Sequence, residues 1–156
     1  MPRLLCIDDY QAGLRVRKAM LESRGCTVFT AESGARGLML LEDHAVDAVI
    51  LDYRMEGMDG QSVAWMIKAK YPRLPIILLT GFARGLPEQL LAMVDAYVVK
   101  GGPPARLLET IERVAGRKLE HAGETVLPKT IREEIERSRT AKVRGAGFQH
   151  PRTGGR

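Results

Sequence analysis

The sequence predicts an α/β fold, a doubly wound sheet of five parallel strands in a three-layer sandwich, and three observations predict it. Strand-like and helix-like segments alternate strictly, five times each, which indicates parallel crossover units. The runs Val49-Ile-Leu51 and Ile76-Ile-Leu-Leu79 are apolar at every position, as strands covered by helices on both faces must be. A length of 156 residues, 45% hydrophobic and 28% charged, suits one packed domain with an appendage and excludes collagen-like and wholly disordered chains.

Arg3 to Asp8 is an apolar run ending in acid, followed by a segment in which Ala12, Val16, Ala19 and Met20 recur at helical spacing until Gly25. Thr27 to Ala31 is a second β-branched run, and Ser33 is placed to cap a helix carrying Ala35, Leu38, Met39 and Leu41. Asp47 to Asp52 is a third run ending in acid. Gly57 to Gly60 form a loop, and Val63, Met66 and Ile67 mark a helix that stops before Pro72. Leu74 to Thr80 is the fourth run, Pro87 to Met93 a short helix, and Ala96 to Val99 the fifth run. The last helix carries Leu107, Leu108, Ile111 and Val114 on one stripe.

The pattern closes near Gly116, so residues 1–116 are expected to form the domain. They hold 14 Lys/Arg against 14 Asp/Glu, whereas residues 117–156 hold 10 against 5, so the whole net charge of +5 lies in a basic tail. There Thr130 and Glu133 have capping-box spacing, which predicts one short helix near residues 130–143. The stretch from Gly145 to Arg156 is rich in Gly and Arg with little to bury, and disorder is expected.

No apolar run approaches the roughly 20 residues that span a bilayer, and no cleavable signal precedes the first strand, so a cytoplasmic protein without a membrane partner is expected. Cys6 and Cys26 sit in apolar runs and read as buried, reduced thiols. His44, His121 and His150 lack metal-ligand spacing, and Trp65 reads as a packing or partly exposed residue of the third helix.

In an open parallel sheet, ligands bind beyond the carboxyl ends of the strands. Asp8 and Asp9 end the first run, Asp52 the third, Thr80 the fourth and Lys100 the fifth. A sheet with its first strand beside its third gathers all five, since neighbouring strands lie about 4.8 Å apart. Any one of them could be an ordinary helix cap or strand-end hydroxyl; the constellation is what is specific. Three carboxylates that close repel by on the order of 1 to 4 kcal/mol per pair, so a cation belongs among them. Oxygen-only ligation with open positions suits Mg²⁺. With Mg²⁺ and Lys100 absorbing phosphoryl charge, the central carboxylate, Asp52, can act as nucleophile and form an aspartyl phosphate. Thr80 can donate its hydroxyl to a phosphoryl oxygen and draw the following loop inward.

Asp8-Asp9, Asp52 with Met55-Glu-Gly-Met-Asp-Gly60, Leu79-Thr80-Gly81 and Tyr97-Val-Val-Lys100 together resemble the receiver domain of bacterial two-component response regulators, similar to the chemotaxis response regulator, over about residues 3 to 116. The resemblance implies a flavodoxin-like sandwich of strand order 2-1-3-4-5. It implies direct Mg²⁺ ligation by Asp9, Asp52 and the backbone carbonyl of Arg54, with Asp8 acting through water. It further implies that Asp52 accepts a phosphoryl group from a sensor histidine kinase or histidine phosphotransfer protein, that Lys100 pairs with that group, and that Thr80 and Tyr97 are the switch residues. Their movement would remodel the face made by the fourth helix, fifth strand and fifth helix, for a downstream protein or for homodimerisation. Such a domain is a signalling switch, catalysing only its own phosphotransfer and autodephosphorylation.

The sequence departs from the family pattern in three ways. Glu56 stands where a proline is usual, and Gly101-Gly102 follow Lys100 where a proline with a cis peptide is customary. Arg54 and Phe82, two residues after Asp52 and Thr80, occupy positions that tune the lifetime of the phosphoryl group, so an altered lifetime is expected. The alternative reading is a transcriptional regulator that binds nucleic acid through residues 117–156. The tail lacks a second apolar helix and has only Ile131, Ile135 and Val143 to make a core.

Overall fold

The computed structural model describes residues 1–82 and 84–120, together with residues 133, 134, 136 and 137. The chain divides into two units, Met1–Thr125 and Val126–Arg156. In the second, Glu133, Glu134, Glu136 and Arg137 are helical. The remainder of the helix expected near residues 130–143, the disorder expected beyond it, His121 and His150 lie outside the described residues.

The first unit runs β1 (Arg3–Ile7), α1 (Gln11–Glu22), β2 (Thr27–Ala31), α2 (Gly34–Asp43), β3 (Ala48–Asp52), α3 (Gly60–Lys70), β4 (Ile76–Thr80), α4 (Glu88–Met93), β5 (Ala96–Val99) and α5 (Pro104–Ala115). The strands form one sheet in the order β2-β1-β3-β4-β5, each neighbouring pair parallel. This is the doubly wound order 2-1-3-4-5, and β1 lies beside β3 in the register Ile7 to Leu51.

Residues of alternate parity on each strand feed two separate cores, because successive side chains leave a strand on opposite faces. Leu4, Cys6, Ala48, Ile50, Ile77 and Leu79 pack with Leu14 and Leu21 of α1 and with Leu107, Leu108 and Ile111 of α5. Leu5, Ile7, Val49, Leu51, Ile76 and Leu78 pack with Leu41 of α2, Val63, Ala64 and Ile67 of α3 and Leu90 of α4. All residues of β3 and β4 are buried, whereas none of β5, an edge strand, is. Cys6 and Cys26 are free and buried.

Local signals set the helix ends. Ser33 accepts the Arg36 N–H at 3.1 Å and Asp59 accepts the Ser62 N–H at 2.8 Å, each satisfying an orphan donor of a first turn. At the other end of α5, Gly116 takes φ 66°, the left-handed stop that glycine favours. Packing does not stop there: Leu119 is buried against the α1/α5 core, its N–H on Glu112 Oε1 at 2.8 Å, and the Glu120 N–H meets the Arg24 carbonyl at 3.0 Å.

One helix turns a different face inward from the one its sequence suggests. Ala12, Val16, Ala19 and Met20 of α1 are only half-buried; Met20 packs against the edge of the core, while the buried residues are Leu14 and Leu21, on the side opposite Ala12, Val16 and Ala19. Two long aliphatic side chains bury more apolar area than a stripe made largely of alanine and valine, and they set the rotation. The consequence is that Arg17 and Lys18, which share that side of the helix, face the sheet. Lys18 resolves this by snorkelling, its Nζ donating to the Val28 carbonyl of the edge strand β2 at 2.8 Å. Among the described residues, no helix is long and apolar enough to cross a membrane.

Candidate functional site

The site is built where the strand ladder runs slightly past its strand ends. Asp8 N–H donates to the Ala31 carbonyl at 3.1 Å, Tyr53 N–H to Leu79 at 2.9 Å, and Lys100 N–H to Thr80 at 2.7 Å, so the residues that follow the strands are held as firmly as the strands. Parity then sorts their side chains. Asp8 follows Cys6, Asp52 follows Ile50 and Lys100 follows Val98, all on the side covered by α1 and α5. Thr80 shares the parity of Leu78, on the other side.

Asp8, Asp9 and Asp52 each present a carboxylate oxygen within 4.8 Å of the other two. Asp8 and Asp52 are buried, while Asp9 is exposed. Lys100 Nζ lies 2.7 Å from Asp52 Oδ1 and 3.6 Å from Asp8 Oδ2. Burial pushes the Asp52 carboxyl up to about 6; the hydrogen bond from Lys100 pulls it back, and the nearby Asp8 pushes it further up. An all-carboxylate donor set with no imidazole or thiolate fits a hard cation such as Mg²⁺.

Four of the predicted residues, Asp8, Asp9, Asp52 and Lys100, therefore meet in one cluster. Thr80 is buried at the end of the neighbouring strand, its Oγ1 donating to the Phe82 carbonyl at 2.9 Å and accepting the Phe82 N–H at 3.3 Å. Arg54 and Phe82 are exposed on the loops after β3 and β4, and Tyr97 is exposed on β5. The Lys100–Gly101 bond is trans, no cis peptide occurring among the described residues, and Gly101 takes φ 83°.

Two contributors escaped the sequence reading. Arg17 of α1 places Nη1 and Nη2 3.5 and 3.4 Å from Asp8 Oδ2. The signal was a charged residue at helical spacing between Leu14 and Leu21. The second is the backbone of Glu56, whose N–H donates to Asp9 Oδ2 at 3.0 Å, a bond that a proline there could not make.

A parallel sheet bearing a buried carboxylate, two further carboxylates and a seated lysine at its carboxyl edge has the makings of a phosphoacceptor switch. Comparison with known proteins makes the class specific: the response regulator receiver domain model matches residues 4–112, and the chain belongs to that family. The chain is 30% identical over 125 residues, 76% of its length, to the sensor protein GacS of Pseudomonas syringae pv. syringae, of which it covers 14%. It is 40% identical over 89 residues, 57% of its length, to the transcriptional regulatory protein GlrR of Escherichia coli, of which it covers 20%. The chain thus spans a fifth or less of these two relatives. Among solved structures, the response regulator TrrA of Thermotoga maritima, in complex with Mg²⁺-BeF, superposes with TM-score 0.69 at 32% identity over 73% of this chain and 99% of that one. The receiver domain of the Pseudomonas aeruginosa sensor kinase PA1611, with magnesium in its active-site cleft, gives TM-score 0.68 at 29% identity over 74% and 98%.

Proposed function

We propose that the chain is a phosphorylation-activated switch in which Asp52 accepts a phosphoryl group from a histidine donor. The contact of Lys100 Nζ with Asp52 Oδ1 at 2.7 Å, inside a cluster of three carboxylates, is the observation behind this reading. Asp52, with Asp9 and the Arg54 carbonyl, would hold Mg²⁺, and Asp8 would act through water. Bound there, the ion supplies positive charge to the carboxylates and to the incoming phosphoryl oxygens.

In the transfer, an Asp52 oxygen forms the new bond to phosphorus as the phosphorus–nitrogen bond of the donor imidazole breaks, and that nitrogen keeps the electron pair. Lys100 offsets the charge on the phosphoryl oxygens, and Thr80 supplies a hydroxyl donor. Hydrolysis of the same acyl phosphate resets the switch, so the chain is a signalling device rather than an enzyme with an external substrate. A relative of this chain, TrrA, has been crystallised with the histidine kinase ThkA, which supports a sensor histidine kinase as donor. The output surface is the face of α4, β5 and α5, where Tyr97 stands exposed, offered to a downstream protein or to a second copy.

Incubation with acetyl phosphate and Mg²⁺ followed by intact mass tests this directly. One added phosphoryl group, absent in Asp52→Asn, is expected; addition that persists in the variant sinks the assignment. A second reading, nucleic-acid binding through residues 117–156, is favoured by the +5 charge of that segment and by relatives that are transcriptional regulators. It predicts salt-sensitive DNA binding that disappears when the segment is deleted.

A further inference from the structure

We propose that Arg17 is a built-in counter-ion of the acidic cluster, acting through Asp8, and that it sets how tightly the cluster binds a divalent cation. This rests on the reading of the cluster as the Mg²⁺ and phosphoacceptor site. The arginine belongs to the inward side of α1, and its side chain is only 13% exposed. Lys18, its neighbour, spends its charge elsewhere, on the Val28 carbonyl and on Glu22 at 3.0 Å. Arg17 instead directs both terminal nitrogens at one oxygen, Asp8 Oδ2.

That oxygen is doubly served, since Lys100 Nζ also approaches it at 3.6 Å, and the other, Oδ1, accepts the Tyr10 N–H at 3.0 Å. Both oxygens of Asp8 are thus engaged by groups of the chain itself. Three carboxylates face two cations, Arg17 and Lys100, a local balance of −3 + 2 = −1. Without Arg17 the balance is −2. A guanidinium is permanently charged, so this offset is fixed.

A divalent cation entering the cluster meets a smaller negative charge than the carboxylates alone would offer. The water through which Asp8 would serve the cation must also compete with Arg17 for Asp8 Oδ2. A unit charge several ångströms from a doubly charged ion, at the high effective dielectric of a site open to water, changes affinity by about three- to tenfold. Arg17 is therefore a positioning residue that holds Asp8 when no cation is bound and weakens the cation when one is.

The test compares the full chain with Arg17→Gln, Arg17→Met and Arg17→Lys. Mg²⁺ affinity is read by calorimetry, melting temperature with EDTA and with excess Mg²⁺, and phosphoryl addition by mass. Arg17→Gln and Arg17→Met are expected to bind Mg²⁺ about three- to tenfold tighter, Arg17→Lys to stay within about twofold of the parent, and Mg²⁺ to raise the melting temperature of the neutral variants more than that of the parent. Equal affinity across the series overturns the proposal, and so does weaker binding in the neutral variants. If both neutral variants fail to fold even in excess Mg²⁺, the cation does not replace the arginine and the proposal falls. A parent chain that takes up neither Mg²⁺ nor a phosphoryl group would refute the underlying site instead.

Discussion

Lys100 reaches Asp52 across an intervening strand: β4 separates β3 from β5, yet Lys100 Nζ and Asp52 Oδ1 are 2.7 Å apart. The contact forms with a trans bond to Gly101, so a proline after the lysine is not needed to seat it. Because burial pushes Asp52 up to about 6 from its ordinary 3.8, the folded chain holds the proton that the unfolded chain releases near pH 4. With a raised folded value, stability from this group is greatest below about pH 4 and falls as pH rises towards 6, where Asp52 ionises in its buried place. The loss is on the order of 3 kcal/mol, at roughly 1.4 kcal/mol per unit over the rise from 3.8 to about 6. Urea unfolding in EDTA between pH 4 and 7 should show it, with Asp52→Asn lacking that slope. Parallel curves for the two proteins would show that Asp52 is not raised.

Gly60 opens α3 directly beneath Asp52. A Cβ there would lie 2.7 Å from the Asp52 carbonyl oxygen and 2.8 Å from Tyr53 Cα, backbone atoms with no rotamer to yield. The Gly60 N–H also donates to the Tyr53 carbonyl at 3.0 Å, tying the helix start to the strand end. Gly60→Ala should therefore cost about 2 to 3 kcal/mol by overpacking and slow phosphoryl uptake by moving Asp52. Gly57, at φ 80° with open space around its would-be Cβ, should cost only about 1 to 2 kcal/mol as alanine. Chemical denaturation of the two variants side by side checks the ranking.

The strands and most of the site were legible because both depend on local pattern. Uniformly apolar runs announce buried parallel strands, and an acid or lysine just past such a run lands at the ligand-binding edge. What stayed hidden depends on tertiary choice. The rotation of α1 follows from which side chains best fill the core, and Arg17 meets Asp8 only because Leu14 and Leu21 prevail over the alanine-rich stripe. Leu119 lies beyond the glycine that ends α5, where no periodicity remains to mark it as core. The Glu56 contact is made by a backbone N–H, which every residue but proline carries.

That backbone bond separates main-chain from side-chain effects. Glu56 is exposed, so Glu56→Ala keeps the N–H on Asp9 Oδ2 and should leave Mg²⁺ affinity within about twofold. Glu56→Pro removes the donor, worth about 1 kcal/mol, and frees the oxygen for the cation, so Mg²⁺ should bind about fivefold tighter. Titration calorimetry on both variants decides it; identical affinities would mean that the bond does not compete with the ion.

Arg54 and Phe82 flank the site by position, two residues after Asp52 and after Thr80, and both are exposed. Neither belongs to the core, so truncating them should leave the fold intact while changing how water reaches the phosphoryl group. Decay of the phosphorylated chain should change by about threefold or more in Arg54→Ala or Phe82→Ala, on the order of 0.7 kcal/mol in the barrier. Unchanged decay in both removes these residues from the mechanism.

Thr80 has a single hydroxyl proton, and it is committed to the Phe82 carbonyl at 2.9 Å. Donating to a phosphoryl oxygen on Asp52 requires releasing that carbonyl, and the same oxygen of Thr80 also holds the Phe82 N–H. A phosphoryl group on Asp52 would thus be coupled to the start of the β4–α4 loop through the Thr80 hydroxyl, which holds both Phe82 backbone groups. Thr80→Ser keeps the hydroxyl and should behave like the parent, whereas Thr80→Val keeps the shape and loses both bonds, each worth about 1 kcal/mol. Hydrogen exchange across residues 81–87, measured before and after acetyl phosphate with Mg²⁺, should change in the parent and in Thr80→Ser. In Thr80→Val it should already be fast and stay so, although Asp52 still takes the phosphoryl group. If Thr80→Val responded to phosphorylation as the parent does, the signal would leave Asp52 by another route.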